Sequence, residues 1–379
     1  MMTPTALLPH PGLIRDTSPP ALESTAMAQI LAVGTATPET AYSQRELLDI
    51  FDIQDPRIRS VYLNSAIDRR FLTLPEPDAD GVRRMETTGQ LLAKHKAQGI
   101  AMGSRAVQDC LKQLGADLSD VHYLCCVTST GFLTPGFSAL LIRELGLDRH
   151  TSRADIVGMG CNAGLNSLNA VAGWTRAHPG ELALMVCIEA CSAAYVFDGT
   201  MRTSVVNSLF GDGSAAIAMV AGTEPDPTTE PGLTPRIVDF TSCIIPEAVD
   251  AMRYDWDHAQ NGFSFYLDPD IPYVVGAHAR LTVDRLLGRS GLRQADIAHW
   301  LVHSGGKKVV DAVGVNLGLT RYDMRHTTSV LRDYGNLSSG SFLFSYERLL
   351  REGTVRPGEY GVLMTMGPGS TIETALVRW

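Results

Sequence analysis

The chain has 379 residues, 45% of them apolar and 19% charged, with a formal net charge of −9. That length holds two packed units or one large α/β domain, and the acidic balance argues against a nucleic-acid-binding protein. Seven cysteines with no CxxC pair and no Cys/His ladder point away from a disulfide framework and from structural zinc, toward a reduced, cytoplasmic protein; no apolar run approaches the roughly 18 residues of a membrane span.

Residues 1–27 are rich in Pro, Thr and Ala and lack the basic start and apolar core of a secretion signal. They are expected to form a flexible extension, or an arm packing on a partner subunit. Order is expected from Ala28–Gly34, an apolar strand ending in glycine. A helix follows over Ser43–Phe51 and a longer one over Lys94–Leu114. Strands are predicted at His122–Thr128 and Asp155–Gly158, a helix at Asn162–Ala177, and further strands at Leu182–Ile188 and Ala215–Val220. The Pro- and Gly-rich stretch Gly222–Pro235 reads as a connection, dividing the chain at 28–230 and 231–379. Beyond it come a helix at Val274–Arg289, a strand at Trp300–His303, helices at Lys307–Leu317 and Ser338–Arg351, and a strand at Tyr360–Met366. Short β-branched runs alternating with longer helical patterns describe a layered α/β fold.

The stretch Asp155-Ile156-Val157-Gly158-Met159-Gly160-Cys161-Asn162-Ala163-Gly164 carries the chemistry. It reads as a strand, a tight turn, and a cysteine at the first turn of a helix. Free N–H groups and the positive end of the helix dipole favour a thiolate there, and a thiolate is an acyl-transfer nucleophile. An internal repeat gives this cysteine a counterpart. Asp120–Thr128 resembles Asp296–Ser304, Gly160–Gly164 resembles Gly335–Ser339, and Phe210–Ser214 resembles Met366–Ser370, in the same order. Two similar halves would face Cys161 and Asn336 toward each other, with His303 at the end of a neighbouring strand. Four of the six other cysteines, Cys125, Cys126, Cys187 and Cys243, read as small buried hydrophobes, and His122, His150 and His299 as ordinary structural histidines.

Gly160-Cys161, Phe210-Gly211-Asp212-Gly213, His303-Ser304-Gly305-Gly306, Gly335-Asn336-Leu337-Ser338-Ser339 and Gly367-Pro368-Gly369-Ser370 together resemble the type III polyketide synthases, the chalcone synthase superfamily. The resemblance runs from about Ile30 to Trp379. It implies a thiolase-like five-layer αβαβα fold built from two duplicated halves, a homodimer, and a malonyl-CoA-condensing acyltransferase. Cys161 would carry the acyl chain. His303 would keep its thiolate charged as an imidazolium and, with the amide of Asn336, would donate to the thioester oxygen of a decarboxylating malonyl-CoA. Coenzyme A thioesters are substrates in this scheme, and no metal or other cofactor is expected. The resemblance further implies Phe210 and Phe265 as aromatic gates between a coenzyme A tunnel and the cavity, with Ala194 and Thr134 sizing that cavity. Glu189, in an apolar strand, would be costly to bury unpaired, and is expected either to hold a water or tune cyclisation, or to make a structural hydrogen bond. Arg57 and Arg59, with Gly305 and Gly306, fall where coenzyme A is held, although Ser60 and Asn64 stand where plant relatives carry basic groups. The Gly367–Ser370 loop is a candidate source of N–H groups for the acyl carbonyl.

Three stretches, Val61–Pro75, Thr151–Gly164 and Asp198–Thr203, are similar to a bacterial branch that uses malonyl-CoA as both starter and extender. That branch implies four units joined and cyclised to 3,5-dihydroxyphenylacetyl-CoA for glycopeptide antibiotic biosynthesis, with helper enzymes possible for dehydration. The alternatives are a synthase with another starter or a pyrone or resorcinol product, a fatty-acid-type ketoacyl synthase, and a non-catalytic thiolase-fold partner subunit.

Overall fold

The computed structural model describes residues 26–81, 83–194, 199–222, 234–258 and 262–379. The expected N-terminal extension, all but its last two residues, and nearly all of the Gly222–Pro235 connection lie outside the described residues. The apolar runs pair into a nine-stranded mixed sheet. Its order is Ile297–Val302, Tyr360–Gly367, Thr371–Arg378, Arg236–Ile244, Met27–Ala36, Gly213–Gly222, Leu182–Glu189, Val121–Thr128 and Ser152–Val157.

The two ends of this sheet repeat one pattern. Val121–Thr128 runs parallel to Leu182–Glu189, which is antiparallel to Gly213–Gly222, itself antiparallel to Met27–Ala36. Ile297–Val302 likewise runs parallel to Tyr360–Gly367, then antiparallel steps lead to Thr371–Arg378 and Arg236–Ile244. A short 3₁₀ turn opens each leading strand, at Leu118–Asp120 and Gln294–Asp296. The half-sheets join through a single register pair, Gln29 with Arg236. The short stretches repeated in the sequence thus sit at equivalent places in a repeated topology.

Helices form the other three layers. Ala163–Ala177 and Ser341–Glu352 lie between the half-sheets, in one core with strand residues of both. Burial on both sides explains their composition: Leu165, Leu168, Val171, Phe342, Leu343, Phe344 and Leu349 are all within 1% of full burial. The helix Thr88–Leu114 packs outside the first half-sheet with Phe137–Leu145. Ile271–Arg289 and Lys307–Leu317 pack outside the second. The result is the expected five-layer αβαβα arrangement.

Several elements extend the sequence reading. The first helix is Gln44–Ile50, closed by a reciprocal capping box between Ser43 and Glu46. Pro56–Leu63, capped by Asp55, and Met201–Leu209, capped by Thr200, are short helices whose apolar stripes were too brief to read. A hairpin of Met252–Asp257 and Gly262–Leu267 stands apart from the main sheet.

Candidate active site

The Ser152–Val157 strand ends in two positive-φ glycines, Gly158 at 85° and Gly160 at 74°. A side chain at Gly160 would be strained by that φ and would also strike Pro368, 2.2 Å from a Cβ built there. The tight turn delivers Cys161 into a 3₁₀ turn, Gly160–Asn162, that opens the central helix Ala163–Ala177. Cys161 is 8% exposed, and its Sγ lies 3.5 Å from the Ser338 hydroxyl. Its counterpart from the second half is close by. Gly335, at φ 74°, ends the helix Arg325–Tyr334 and packs so tightly that a Cβ would sit 2.6 Å from the Leu209 carbonyl oxygen. Asn336 follows: its N–H donates to Leu209 O at 2.8 Å, and its carbonyl accepts from Gly211 N at 3.0 Å. The Asn336 side chain is fixed as well. Its Oδ1 accepts from the Ser338 N–H at 2.8 Å, which leaves Nδ2 as the free-facing donor, 3.4 Å from the Gly305 carbonyl. The Asn336 amide also hydrogen-bonds the Cys161 thiol.

His303 ends the Ile297–Val302 strand, its N–H donating to Met364 O at 2.8 Å. The ring is 2% exposed and lies beside Gly305, whose carbonyl meets Asn336. The structure therefore brings Cys161, Asn336 and His303 together through Asn336 and Gly305. Burial of both groups works against the expected thiolate–imidazolium pair. Burial pushes the Cys161 thiol up to about 12, against hydrogen bonds from Ser338 and Asn336 that favour the thiolate, and the Glu189 carboxylate adds to the rise. Burial also lowers His303 to about 3. Its Nδ1 is buried with no partner among the described residues, so nothing supports a second ring proton. Desolvation thus acts against both charges of such a pair and opposes the helix end. With Nδ1 unpartnered, the one ring proton is cheapest on Nε2, where it is a donor.

A small cavity opens beside the thiol, lined among others by Ser129, Thr130, Cys161, Cys191, Ala194, Phe210, Tyr254, Phe265, Ser338 and Pro368. Phe210 and Phe265 face each other edge to face, ring centres 6.0 Å apart, as a gate would require. Ala194 is on the wall as expected. Thr134 is not: it is exposed, because the chain has left the wall after Thr130. Glu189 is not on the wall either. It is fully buried and its carboxylate accepts from Ser129 N at 2.9 Å and from the Ser339 N–H and hydroxyl. It therefore braces two wall segments, and burial raises it to about 7. Tyr254 is a wall residue that the sequence did not signal, since its strand was not read. Tyr254 is 43% exposed overall, but the surroundings of its hydroxyl, with Cys191, Glu189 and Cys161 nearby, hold its phenol above the usual range.

The residues expected to hold coenzyme A separate. Arg57 is exposed on the helix Pro56–Leu63, whereas Arg59 projects about 200° around it and donates to the Ile53 carbonyl at 2.9 Å. One face of that helix cannot present both. Gly305 and Gly306 lead directly into the helix Lys307–Leu317, with Lys307 and Lys308 exposed at its start. Arg70 is structural: fully buried, it donates to the carbonyls of Asn207 and Phe210 and to Gln44. The Gly367–Ser370 loop packs on the nucleophile turn, where a Cβ on Gly367 would lie 2.9 Å from Cys161 N.

Known sequences and structures converge on the same reading. Residues 17–225 match the N-terminal domain of the chalcone and stilbene synthases, and residues 237–379 match the C-terminal domain. The chain belongs to the chalcone and stilbene synthase family. Within this family it is 69% identical to 3,5-dihydroxyphenylacetyl-CoA synthase of Streptomyces toyocaensis over 360 residues, covering 95% of this chain and 92% of that one. The enzyme of the same name from Amycolatopsis orientalis is 68% identical over 355 residues, 94% of each chain. Among solved structures, the 1,3,6,8-tetrahydroxynaphthalene synthase of Streptomyces coelicolor A3(2), a bacterial type III polyketide synthase, superposes with a TM-score of 0.82. It is 27% identical over 93% of this chain and 99% of that one. The family's thiolase-like fold is the one observed, and its members are condensing acyltransferases rather than inert partner subunits.

Proposed function

We propose that this synthase joins four malonyl-CoA units and releases 3,5-dihydroxyphenylacetyl-CoA, the product named for relatives near 70% identity. The observation that supports the site assignment is the contact of Cys161 with Asn336 and Ser338 beside a cavity lined by Phe210 and Phe265. Cys161 attacks the thioester carbonyl of the first malonyl-CoA. The new C–S bond replaces the old one, and the thiol proton leaves with coenzyme A. A second malonyl-CoA then loses carbon dioxide. The electron pair of the broken C–C bond becomes an enolate whose oxygen is held by Asn336 Nδ2 and His303 Nε2. Fixed donors aimed at a developing oxyanion in a dry site supply much of such a rate enhancement. The enolate carbon attacks the acyl-Cys161 carbonyl, the new C–C bond forms, and the thiolate departs and is reprotonated from solvent. The lengthened coenzyme A thioester is then attacked by Cys161, which takes the chain back as coenzyme A leaves, and the starter's own carboxyl is lost as carbon dioxide. Neutral donors suit this step, because they stabilise charge as it appears without holding it in the resting site.

Phe210 and Phe265 gate the passage, Arg57 and the Gly305-Gly306 turn meet the coenzyme A moiety, and the chain acts as a cytoplasmic homodimer. Support for the dimer comes from the edge strand Ser152–Val157. Among the described residues no strand pairs with its outer side, and Val157 is 42% exposed. Mass spectrometry of the products formed by purified protein from malonyl-CoA alone tests the reading. The dihydroxyphenylacetyl product, as thioester or acid, is expected; a triacetic pyrone as sole product would overturn it.

A further inference from the structure

A second histidine stands behind the cavity wall, and nothing in the condensation scheme uses it. His95 lies on the helix Thr88–Leu114 and is fully buried. Its ring meets Phe137 edge-on, with centres 4.9 Å apart, and the backbone of Gly131 rests against it so closely that a Cβ there would lie 2.4 Å away. Its Nδ1 is 3.2 Å from the hydroxyl of Thr130, a wall residue of the Cys161 cavity. Its Nε2 is buried with no partner among the described residues.

These positions fix the direction of the hydrogen bonds. Burial lowers His95 to about 4, so the ring is neutral and carries one proton. An orphaned buried N–H costs more than an orphaned lone pair, so that proton belongs on Nδ1, which has a partner. His95 then donates to Thr130 Oγ1. The same oxygen also accepts from the Ala190 N–H at 3.1 Å. With both lone pairs engaged, Thr130 must donate its own hydrogen. Its protein acceptor is Thr128 Oγ1 at 3.4 Å, a long contact; the other direction is the cavity. Two incoming donors also polarise the hydroxyl and make it a better donor.

We propose that Thr130, held and polarised by His95, donates to a ketone oxygen of the cysteine-bound polyketide and directs it to carbocyclic ring closure. In that step an acidic carbon of the chain gives its proton to water and bonds to a ketone carbon, and the carbonyl π pair moves onto oxygen. That oxygen receives the Thr130 hydrogen bond and takes its proton from water. The competing lactone forms when an enol oxygen attacks the Cys161 thioester, a step that puts no charge on the ketone. A donor at the ketone therefore favours the carbon ring. Thr130 touches substrate in this account, and His95 is a positioning residue acting through it.

The proposal rests on Cys161 as the acyl carrier, so its test is a ratio rather than a total: aromatic product over pyrone, at equal malonyl-CoA consumed. Loss of all condensation would count against the Cys161 assignment, whereas a changed ratio reads ring closure. His95→Leu and Thr130→Val are each expected to lower the ratio at least tenfold. Thr130→Ser restores the hydroxyl, and His95→Asn places an amide donor near the position of Nδ1; both are expected to keep the ratio within about threefold of the parent. If Thr130→Val does not fold, the His95→Leu and His95→Asn pair still decides. Equal ratios in that pair, whether both high or both low, would overturn the donor role, the second by showing that only packing matters.

Discussion

Asn336→Ala removes one donor from the decarboxylation site and leaves the backbone that carries it in place. The Asn336 backbone is pinned by Leu209 and Gly211, so the loss is confined to the amide. At rest Nδ2 makes only a long 3.4 Å contact with Gly305 O and a weak one with the thiol. The ground state loses little. The enolate loses a preorganised donor, which typically costs ~2.7–4 kcal/mol of barrier, a factor of about 10²–10³ in rate. The fall is therefore expected in kcat, with KM for malonyl-CoA changed by less than about threefold. Asn336→Asp sharpens the test. Ser338 N still anchors one carboxylate oxygen, yet the other becomes an acceptor facing the enolate oxygen, so decarboxylation is expected to fall at least as far as in the alanine variant. Release of labelled carbon dioxide from malonyl-CoA is the assay. Both variants decarboxylating within about threefold of the parent would refute the oxyanion-donor assignment.

Other outcomes follow from neighbouring groups. Burial raises Glu189 to about 7 from an ordinary 4.5, so the folded protein holds the extra proton between those values. Its share of stability is present below about pH 4.5 and is lost as pH rises through 7, on the order of 3 kcal/mol across the window. Thermal scans of Glu189→Gln from pH 5 to 7.5 should show a flatter decline than the parent; parallel curves would contradict this. Arg70→Met removes the donor to the carbonyls of Asn207 and Phe210 and to the amide oxygen of Gln44, a loss of up to roughly 3–9 kcal/mol at about 1–3 kcal/mol for each lost partner. Urea unfolding measures it, and a loss under about 1 kcal/mol would show that the wall does not depend on Arg70. Val157→Asp on the open edge strand should convert the dimer to monomer in sedimentation velocity, whereas an unaltered dimer would place the interface elsewhere.

Residues that act through backbone geometry were the most legible in the sequence. Gly160 and Gly335 mark turns that only a positive φ and close packing explain, and they sit beside Cys161 and Asn336. The internal repeat was legible for the same reason: both halves reuse a strand, a glycine turn and a central helix. Short amphipathic helices such as Met201–Leu209 were hidden, because two turns give too few periods to detect. Tyr254 was hidden with its hairpin. The charge state of the nucleophile was also beyond sequence, since it depends on how deeply two half-sheets bury Cys161 and His303. Glu189 was seen as costly to bury, but its partners, Ser129 and Ser339, come from opposite halves of the chain. His95 had no signal at all: a lone histidine on a helix gains meaning only from the Thr130 beside it.

Two cysteines line the cavity, and the account gives the acyl chain to one of them. Burial and the Glu189 carboxylate raise both thiols, but at Cys161 Ser338, 3.5 Å away, and Asn336 favour the thiolate, whereas at Cys191 the Asp212 carboxylate adds to the rise. Peptide mapping of protein quenched during turnover with malonyl-CoA tests that choice most directly. The acyl mass is predicted on the peptide containing Cys161, and it should vanish in Cys161→Ala together with chain elongation. An adduct on Cys191, or elongation that survives Cys161→Ala, would contradict the mechanism.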